Sequence, residues 1–129
     1  MEIEKAIRDL IVGTALNGGS TQSLRGESVP DSGFMVGGFT DSLIFDSLLV
    51  TDANHWAVSF NGIANWVNNN LTLATDPGMY VGGWIDKETN SMYVDLSKLF
   101  VDQEAAILMA KELGEIAIWD LENSKEIRV

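Results

Sequence analysis

The sequence contains no cysteine and a single histidine, His55. Disulfide bonds, thiolate nucleophiles and cysteine-ligated metal sites are therefore excluded, and so is a histidine-rich metal site. A Ser-His-Asp triad would have to use His55, and no Gly-x-Ser-x-Gly nucleophile motif occurs in the chain. We expect His55 to be a surface or loop residue, and the sequence indicates neither a bound metal nor a cofactor.

Positive charge is scarce as well. Eight lysine and arginine residues stand against 19 aspartate and glutamate residues, which gives a formal net charge of −11. Such a field repels phosphate backbones, so we expect no direct nucleic-acid binding and favour a partner with a basic surface. The plainer interpretation is that the charge only keeps the protein soluble, which is the more common meaning of an acidic surface.

Long apolar runs are missing too, and none approaches the roughly 20 residues that a membrane-spanning helix needs. The first ten residues mix charged and apolar residues at helical spacing, which is unlike a signal peptide. We therefore expect an intracellular, cytoplasmic protein with no membrane association. At 129 residues and 46% hydrophobic composition, the chain is predicted to form one globular domain over residues 1–129.

The clearest local pattern lies between Tyr80 and Lys98. Residues 80–85 and 92–97 alternate around a short polar turn, which predicts an antiparallel hairpin. If Asp86 pairs with Ser91, one face is wholly apolar and should face the core: Val81, Gly83, Ile85, Met92, Val94 and Leu96. The other face combines rings and polar groups around Gly82, and a register slip of one residue would exchange the two faces.

Three segments have helical spacing and end signals. They are a first helix ending near Gly13, a second from about Phe60 to Asn69 with Ser59 as its cap, and a third from the cap Asp102 to Leu113. Residues 52–60 fit either a strand or a helix. Four further strands are predicted: Phe34–Phe39, Leu43–Val50, Glu115–Leu121 and Lys125–Val129. This order indicates an α+β fold, with a mainly antiparallel sheet of five to six strands and two to three helices packed on it.

Residues 17–33 are rich in glycine, serine and other turn-forming residues, which predicts a loop or mobile arm. A glycine-rich segment before a strand also suggests a phosphate-binding loop. We disfavour that interpretation because no Gly-Lys-Ser/Thr follows and the glycine spacing fits neither nucleotide fingerprint.

The candidate binding residues lie on the ring-bearing face of the hairpin: Tyr80, Trp84, Tyr93, Asp86 and Asp95. The rings could stack on a sugar or base, or anchor a protein partner. The favoured alternative is that a helix or the 17–33 segment packs over them, since three helices can cover both faces of a sheet. Asp86 and Asp95, with Asp120 approaching from the last strand, could also perform acid–base chemistry, although dispersed aspartates on an acidic protein are usually solvated.

Two groups of short motifs resemble a pattern in small uncharacterised bacteriophage and mobile-element proteins. The first is Gly18-Gly19-Ser20-Thr21, Gly26-Glu27, Pro30 and Gly33-Phe34-Met35-Val36; the second is Pro77 to Trp84, Tyr93 to Ser97, Glu104-Ala105-Ala106 and Ala117 to Leu121. The resemblance covers most of Gly18 to Leu121 and departs from the pattern at His55 to Phe60. It implies a phage-type accessory protein of the bacterial cytoplasm, and it attaches no activity or catalytic residue.

These observations support a first hypothesis and leave two alternatives. The first is a small acidic, non-enzymatic accessory protein that binds and modulates a host protein, such as a defence component. The second is a domain that binds a nucleotide or sugar through Tyr80, Trp84, Tyr93 and Asp95. The third is an enzyme, which would require a cleft that holds both Asp86 and Asp95.

Overall fold

The computed structural model describes residues 2–129 and shows an α+β fold, as predicted. The described elements are α1 Glu2–Asn17, β1 Gly19–Gln22, β2 Phe34–Val36, β3 Leu43–Asp46, α2 Leu48–Thr51, α3 Trp56–Asn69, α4 Leu71–Ala74, β4 Met79–Asp86, β5 Ser91–Phe100, α5 Gln103–Glu112, β6 Ala117–Asp120 and β7 Lys125–Arg128. The sequence predicts at most six strands and three helices. The described part of the chain has seven strands and five α-helices. Both α2 and α4 are single turns of four residues.

All seven strands belong to one antiparallel sheet, and β4 and β5 form its centre. Strand β1 pairs with β4. The other edge of β5 is shared, because β3 pairs with its first residues and β2 with its last ones. From β2 the sheet continues to β6 and then to β7. The long strand β5 therefore joins the two halves of the sheet.

The β4–β5 hairpin has the register that the sequence predicts. Asp86 pairs with Ser91, Trp84 with Tyr93, and Gly82 with Asp95. The predicted core side chains Val81, Met92, Val94 and Leu96 are fully buried. The turn residues and the period of two were therefore sufficient to define both faces of the hairpin.

The helices all pack on one face of the sheet. One apolar cluster joins α1 and α3 to the inward residues of β4 and β5, and a second joins α5 to β2 and β6. Both clusters lie on the same side of the sheet. Val36 of β2 pairs with Lys98 of β5, and Lys98 is two residues from Leu96, so all three side chains are on the same face. The expectation that the helices would cover both faces is therefore wrong. We call the opposite side, which carries Trp84 and Tyr93, the helix-free face.

Helix α1 continues past its predicted end at Gly13. A Cβ atom built at Gly13 would lie 2.7 Å from Ser20 Oγ, so this glycine permits the helix to pack closely on β1. The helix ends instead before Gly18, which has a φ angle of +81° and donates its N–H to the Thr14 carbonyl at 2.9 Å. The adjoining residues 19–22, predicted to be part of a loop, form the edge strand β1.

Of the ambiguous residues 52–60, all but Asp52 are helical. Helix α3 begins at Trp56 after a 3₁₀ turn at Ala53–His55, in which the Asp52 side chain accepts the Asn54 N–H at 3.0 Å. Ser59 is therefore not the cap; it is buried within the helix and donates to the Trp56 carbonyl. The prediction at the third helix is confirmed, since Asp102 accepts the Ala105 N–H at 3.2 Å.

The two predicted strands before α2 are shorter than expected. Strand β2 ends at Val36 and β3 ends at Asp46. The Asp46 carboxylate accepts the N–H of Leu48 at 2.9 Å, which turns the chain into a single helical turn. On this edge of β5, β3 pairs with residues 91–94 and β2 with residues 98–100. The connection between β2 and β3 passes residues 95–97 without forming a strand pair with them.

Candidate binding face

Trp84 and Tyr93 form a stacked pair on the helix-free face. Their ring centroids are 4.5 Å apart, and their planes differ by 10°. This separation is close to the spacing of about 4.8 Å between neighbouring strands. The two rings must therefore stand upright on β4 and β5 and stack in the direction that crosses the strands. Tyr93 covers one face of the indole, and the other face of the indole is directed toward β1.

On the β1 side of Trp84 the side-chain layer has a gap. The residue paired with Trp84 is Gly19, which has no side chain. Two residues from Trp84 along β4, on the same face, a Cβ atom built at Gly82 would meet nothing closer than the Ser20 carbonyl oxygen at 3.9 Å. We call the space above Gly19 and Gly82 the Gly82 gap. Above Gly82 it is bounded by Trp84 along the strand, and by Thr21 and Asp95 on the neighbouring strands. Above Gly19 it lies against the side of the Trp84 ring that faces away from Asp95.

Asp95 provides the carboxylate at the edge of this gap. It pairs with Gly82 across the hairpin, and its Oδ1 accepts a hydrogen bond from the Ser42 hydroxyl. Among residues 2–129, no side-chain hydrogen bond to Asp95 Oδ2 is present, so this oxygen remains an available acceptor. Ser42 comes from the connection between β2 and β3. Sequence reasoning missed it because no local pattern links Ser42 to a residue 53 positions away.

Two further carboxylates lie at the turn end of the same face. Asp86 and Asp46 both pair with Ser91, one from each side of β5. The Asp86 carboxylate accepts the Glu88 N–H at 3.0 Å and so supports the hairpin turn. Asp86 lies four residues along the ladder from Asp95, about 13 Å away. The two aspartates therefore share a face and do not form the common cleft that acid–base catalysis would require.

The remaining predicted residues are positioned differently. Tyr80 lies on the helix-free face but is only 4% exposed, whereas Trp84 is 44% exposed. Asp120 does not approach the hairpin carboxylates, so that expectation is wrong. It pairs with Phe34 and Lys125 near the β6–β7 turn, on the helix-covered side.

Asp120 has local partners that account for its ionisation. The Asn123 side-chain amide donates to its carboxylate at 2.8 Å and, as the largest cause, lowers the pKa of Asp120. The backbone N–H groups of Asn123 and Glu122 and the charge of Lys125 lower this pKa further, while burial opposes them. A depression of about 440 Å³ lies beside Asp120 and is lined also by Gln103, Glu122 and Ser32. The Asp120 carboxylate is thus engaged in supporting its own turn.

His55 lies in the turn before α3, as a loop histidine was expected to. Its side chain is 42% exposed, and Nδ1 lies 3.3 Å from the Asp52 carboxylate. Within residues 2–129, no group of three or more histidine, aspartate or glutamate side chains is arranged to hold a metal ion. The same residues include no helix with the length and apolar character needed to cross a membrane.

No family model, no curated protein and no solved structure matches this chain. A function must therefore be inferred from the geometry of the helix-free face.

Proposed function

We propose that this protein is a non-enzymatic interaction module that binds a basic protein surface through its helix-free face. The observation that carries the proposal is the exposed, stacked indole of Trp84 beside the carboxylates of Asp95 and Asp86. Tryptophan and tyrosine dominate the energetics of protein interfaces because they bury a large area in a defined orientation. The stack holds Trp84 in place, so little side-chain entropy is lost on binding.

The charge of the face selects the kind of partner. Side chains alternate between the two faces along each strand. On β1, β3, β4 and β5 the helix-free face therefore carries Asp46, Asp86 and Asp95 and no lysine or arginine. The whole chain, these three aspartates included, has a formal net charge of −11. A negative surface of this kind accelerates the approach of a positively charged partner and disfavours phosphate-bearing ligands.

The resemblance to bacteriophage and mobile-element proteins suggests the biological setting. In that setting the basic partner is a host protein of the bacterial cytoplasm, and binding modulates it. A host defence component with a basic, nucleic-acid-binding groove is one such partner, because an acidic protein can occupy a groove that otherwise takes a phosphate backbone.

The test compares two equally exposed tryptophans of the helix-free face. Trp84 and Trp119 are both 44% exposed, but only Trp84 lies beside Asp95. We expect a partner captured from bacterial lysate by the wild type to be released by salt and lost with Trp84→Ser. The Trp119→Ser control should retain it. Equal capture by all three proteins, or capture that salt does not weaken, would contradict the proposal.

A second candidate function is the binding of a small ligand, and the Gly82 gap favours it. A flat sugar or base could stack on the free side of Trp84. Thermal-shift measurements with nucleosides and sugars test this, because a ligand at a hundred times its Kd stabilises by about 2.7 kcal/mol. A stabilisation that disappears in Trp84→Ser would favour this function over protein binding.

A further inference from the structure

We infer that the outer face of α3 joins two copies of this chain in a symmetric dimer. The contact surface consists of Val58, Asn61, Gly62 and Asn65, which we call the α3 patch. The inference does not rest on the proposed function, because the helices pack on the side of the sheet opposite the helix-free face. It is supported by the missing charge of the patch, by a glycine that the single chain does not need, and by side chains that can pair with their own copies.

The α3 patch is one continuous stripe along the helix. Its members follow the spacing i, i+3, i+4 and i+7, which places them on one side of an α-helix. All four residues are exposed, and the apolar side chain of Val58 is 58% exposed. Ile63 and Val67 pack into the core from the other side of the helix. A second molecule can therefore contact the patch without displacing any of residues 2–129.

The stretch that contains the patch is almost free of charge. Between Ala53 and Thr75 the only acidic or basic residue is His55. The other two long helices expose charged residues: Glu2, Glu4, Lys5 and Arg8 on α1, and Glu104, Lys111 and Glu112 on α5. Two chains that each carry −11 repel one another, so they associate most readily where the contact itself brings no like charges together. The outer face of α3 meets that condition.

Gly62 weakens the helix without a benefit to the single chain. Glycine in a helix interior is unfavourable compared with alanine. Gly62 has no positive φ angle, and a Cβ atom built there would meet nothing within 4 Å. Gly13 and Gly83, by contrast, each permit a close contact within the chain. What Gly62 permits is a close approach from outside, by the α3 helix of a second copy.

The asparagines of the patch fit a second copy better than another occupant. In a symmetric dimer the same surface lies on both sides of the contact, so each side chain must tolerate its own copy. An asparagine amide has both donor and acceptor groups and can pair with another asparagine, as it does in two-stranded coiled coils. A lysine or aspartate would repel its copy there. A basic partner would find no carboxylate on the patch.

The dimer would present two helix-free faces. Because the α3 patch and the helix-free face lie on opposite sides of the sheet, dimerisation leaves Trp84 uncovered in both copies. Two such faces bind a partner with repeated sites more tightly than one face does. Salt should act oppositely on the two contacts: it screens the repulsion between the two acidic chains and strengthens the dimer, but it weakens binding to a basic partner.

The experiment measures the oligomeric state of the full chain by sedimentation velocity. Four residues are far fewer than the roughly 20 to 30 per partner of a standard interface, so we expect a weak dimer that forms between about 10 μM and about 1 mM. Raising the salt concentration from about 50 mM to about 500 mM should increase the dimer fraction.

Two variants test the patch, and two controls accompany them. Asn65→Asp places a like charge at the contact and should weaken the dimer roughly tenfold. Its control, Gln103→Glu on α5, also converts an exposed amide into a carboxylate and should dimerise like the wild type. Gly62→Gln should raise the Tm, because glutamine favours helices and has open space, yet weaken the dimer roughly tenfold by holding the helices apart. Trp84→Ser should leave the dimer unchanged.

Several results would overturn the inference. They are a wild type that stays monomeric up to about 1 mM, a dimer that Asn65→Asp and Gly62→Gln leave intact, and a dimer that salt dissociates. A dimer that Trp84→Ser abolishes would place the contact on the helix-free face and also overturn it. If the dimer forms as expected but no salt-sensitive partner is captured from lysate, the proposed function fails and the inference stands.

Discussion

Gly82 and Gly83 are neighbours in β4, yet they serve opposite faces of the sheet. A Cβ atom at Gly83 would lie 2.8 Å from Met92 Cε, 2.9 Å from Thr14 Oγ1 and 3.3 Å from Leu10 Cδ1. A Cβ atom at Gly82 would meet only a carbonyl oxygen at 3.9 Å. The first glycine leaves a gap above the helix-free face, and the second allows α1 to approach the sheet. The same residue type thus leaves open space on one side of the sheet and permits close packing on the other.

The largest effect should come from adding a side chain to the packed glycine. We expect Gly83→Val to lower the free energy of unfolding by about 3 kcal/mol, because Thr14 and Leu10 of α1 would have to move. Urea denaturation followed by circular dichroism measures this change.

The matched control is Gly82→Val, which adds the same atoms one residue earlier. Its stability should stay within about 0.5 kcal/mol of the wild type or rise, since valine restricts the unfolded chain and favours strands. Equal destabilisation by both variants would mean that the two faces of β4 do not differ in how closely they are packed.

A smaller effect should distinguish the two exposed tryptophans. Trp84 is stacked on Tyr93, and a double-mutant cycle with Trp84→Ala and Tyr93→Ala should give a coupling energy of about 1 kcal/mol. The comparison cycle uses Trp119 and Met35, which are paired across β6 and β2. We expect a smaller coupling there, because Trp119 stacks on no aromatic ring among residues 2–129. A coupling energy near zero would show that stacking on Tyr93 does not hold Trp84 in place, which the proposed function assumes.

The hairpin was predictable because its information is local. Turn residues set the register, and the period of two then assigned every side chain from Val81 to Leu96 to its face. The Asp102 cap was predictable for the same reason, since an N-cap interacts with the next few backbone N–H groups.

The features that sequence reasoning missed depend on contacts between distant segments. Gly13 looked like a helix end, although its role is to let β1 pack against α1. Strand β1 itself, Gly19–Gln22, has no apolar alternation that would identify it. The helix patterns showed which stripe of each helix is apolar, but not which face of the sheet receives it. Exposure of Trp84, on which the proposed function depends, was therefore visible only in the folded chain.

The smallest effect concerns Asp120, the buried counterpart of the exposed Asp95. Because Asn123 lowers the pKa of Asp120 in the folded protein, ionisation of this carboxylate favours folding. Its contribution is complete above the ordinary pKa of 3.8 and is lost as the pH falls through the lower folded value. The stability difference between wild type and Asp120→Asn should therefore be larger at about pH 6 than at about pH 3. The general effect of pH on an acidic protein cancels in this difference, and Asn123→Ala should reduce the pH dependence by removing its main cause. A stability difference between wild type and Asp120→Asn that grows toward low pH would show that the β6–β7 turn does not stabilise the ionised Asp120 carboxylate. Asp120 would then not differ from the exposed Asp95 in this respect.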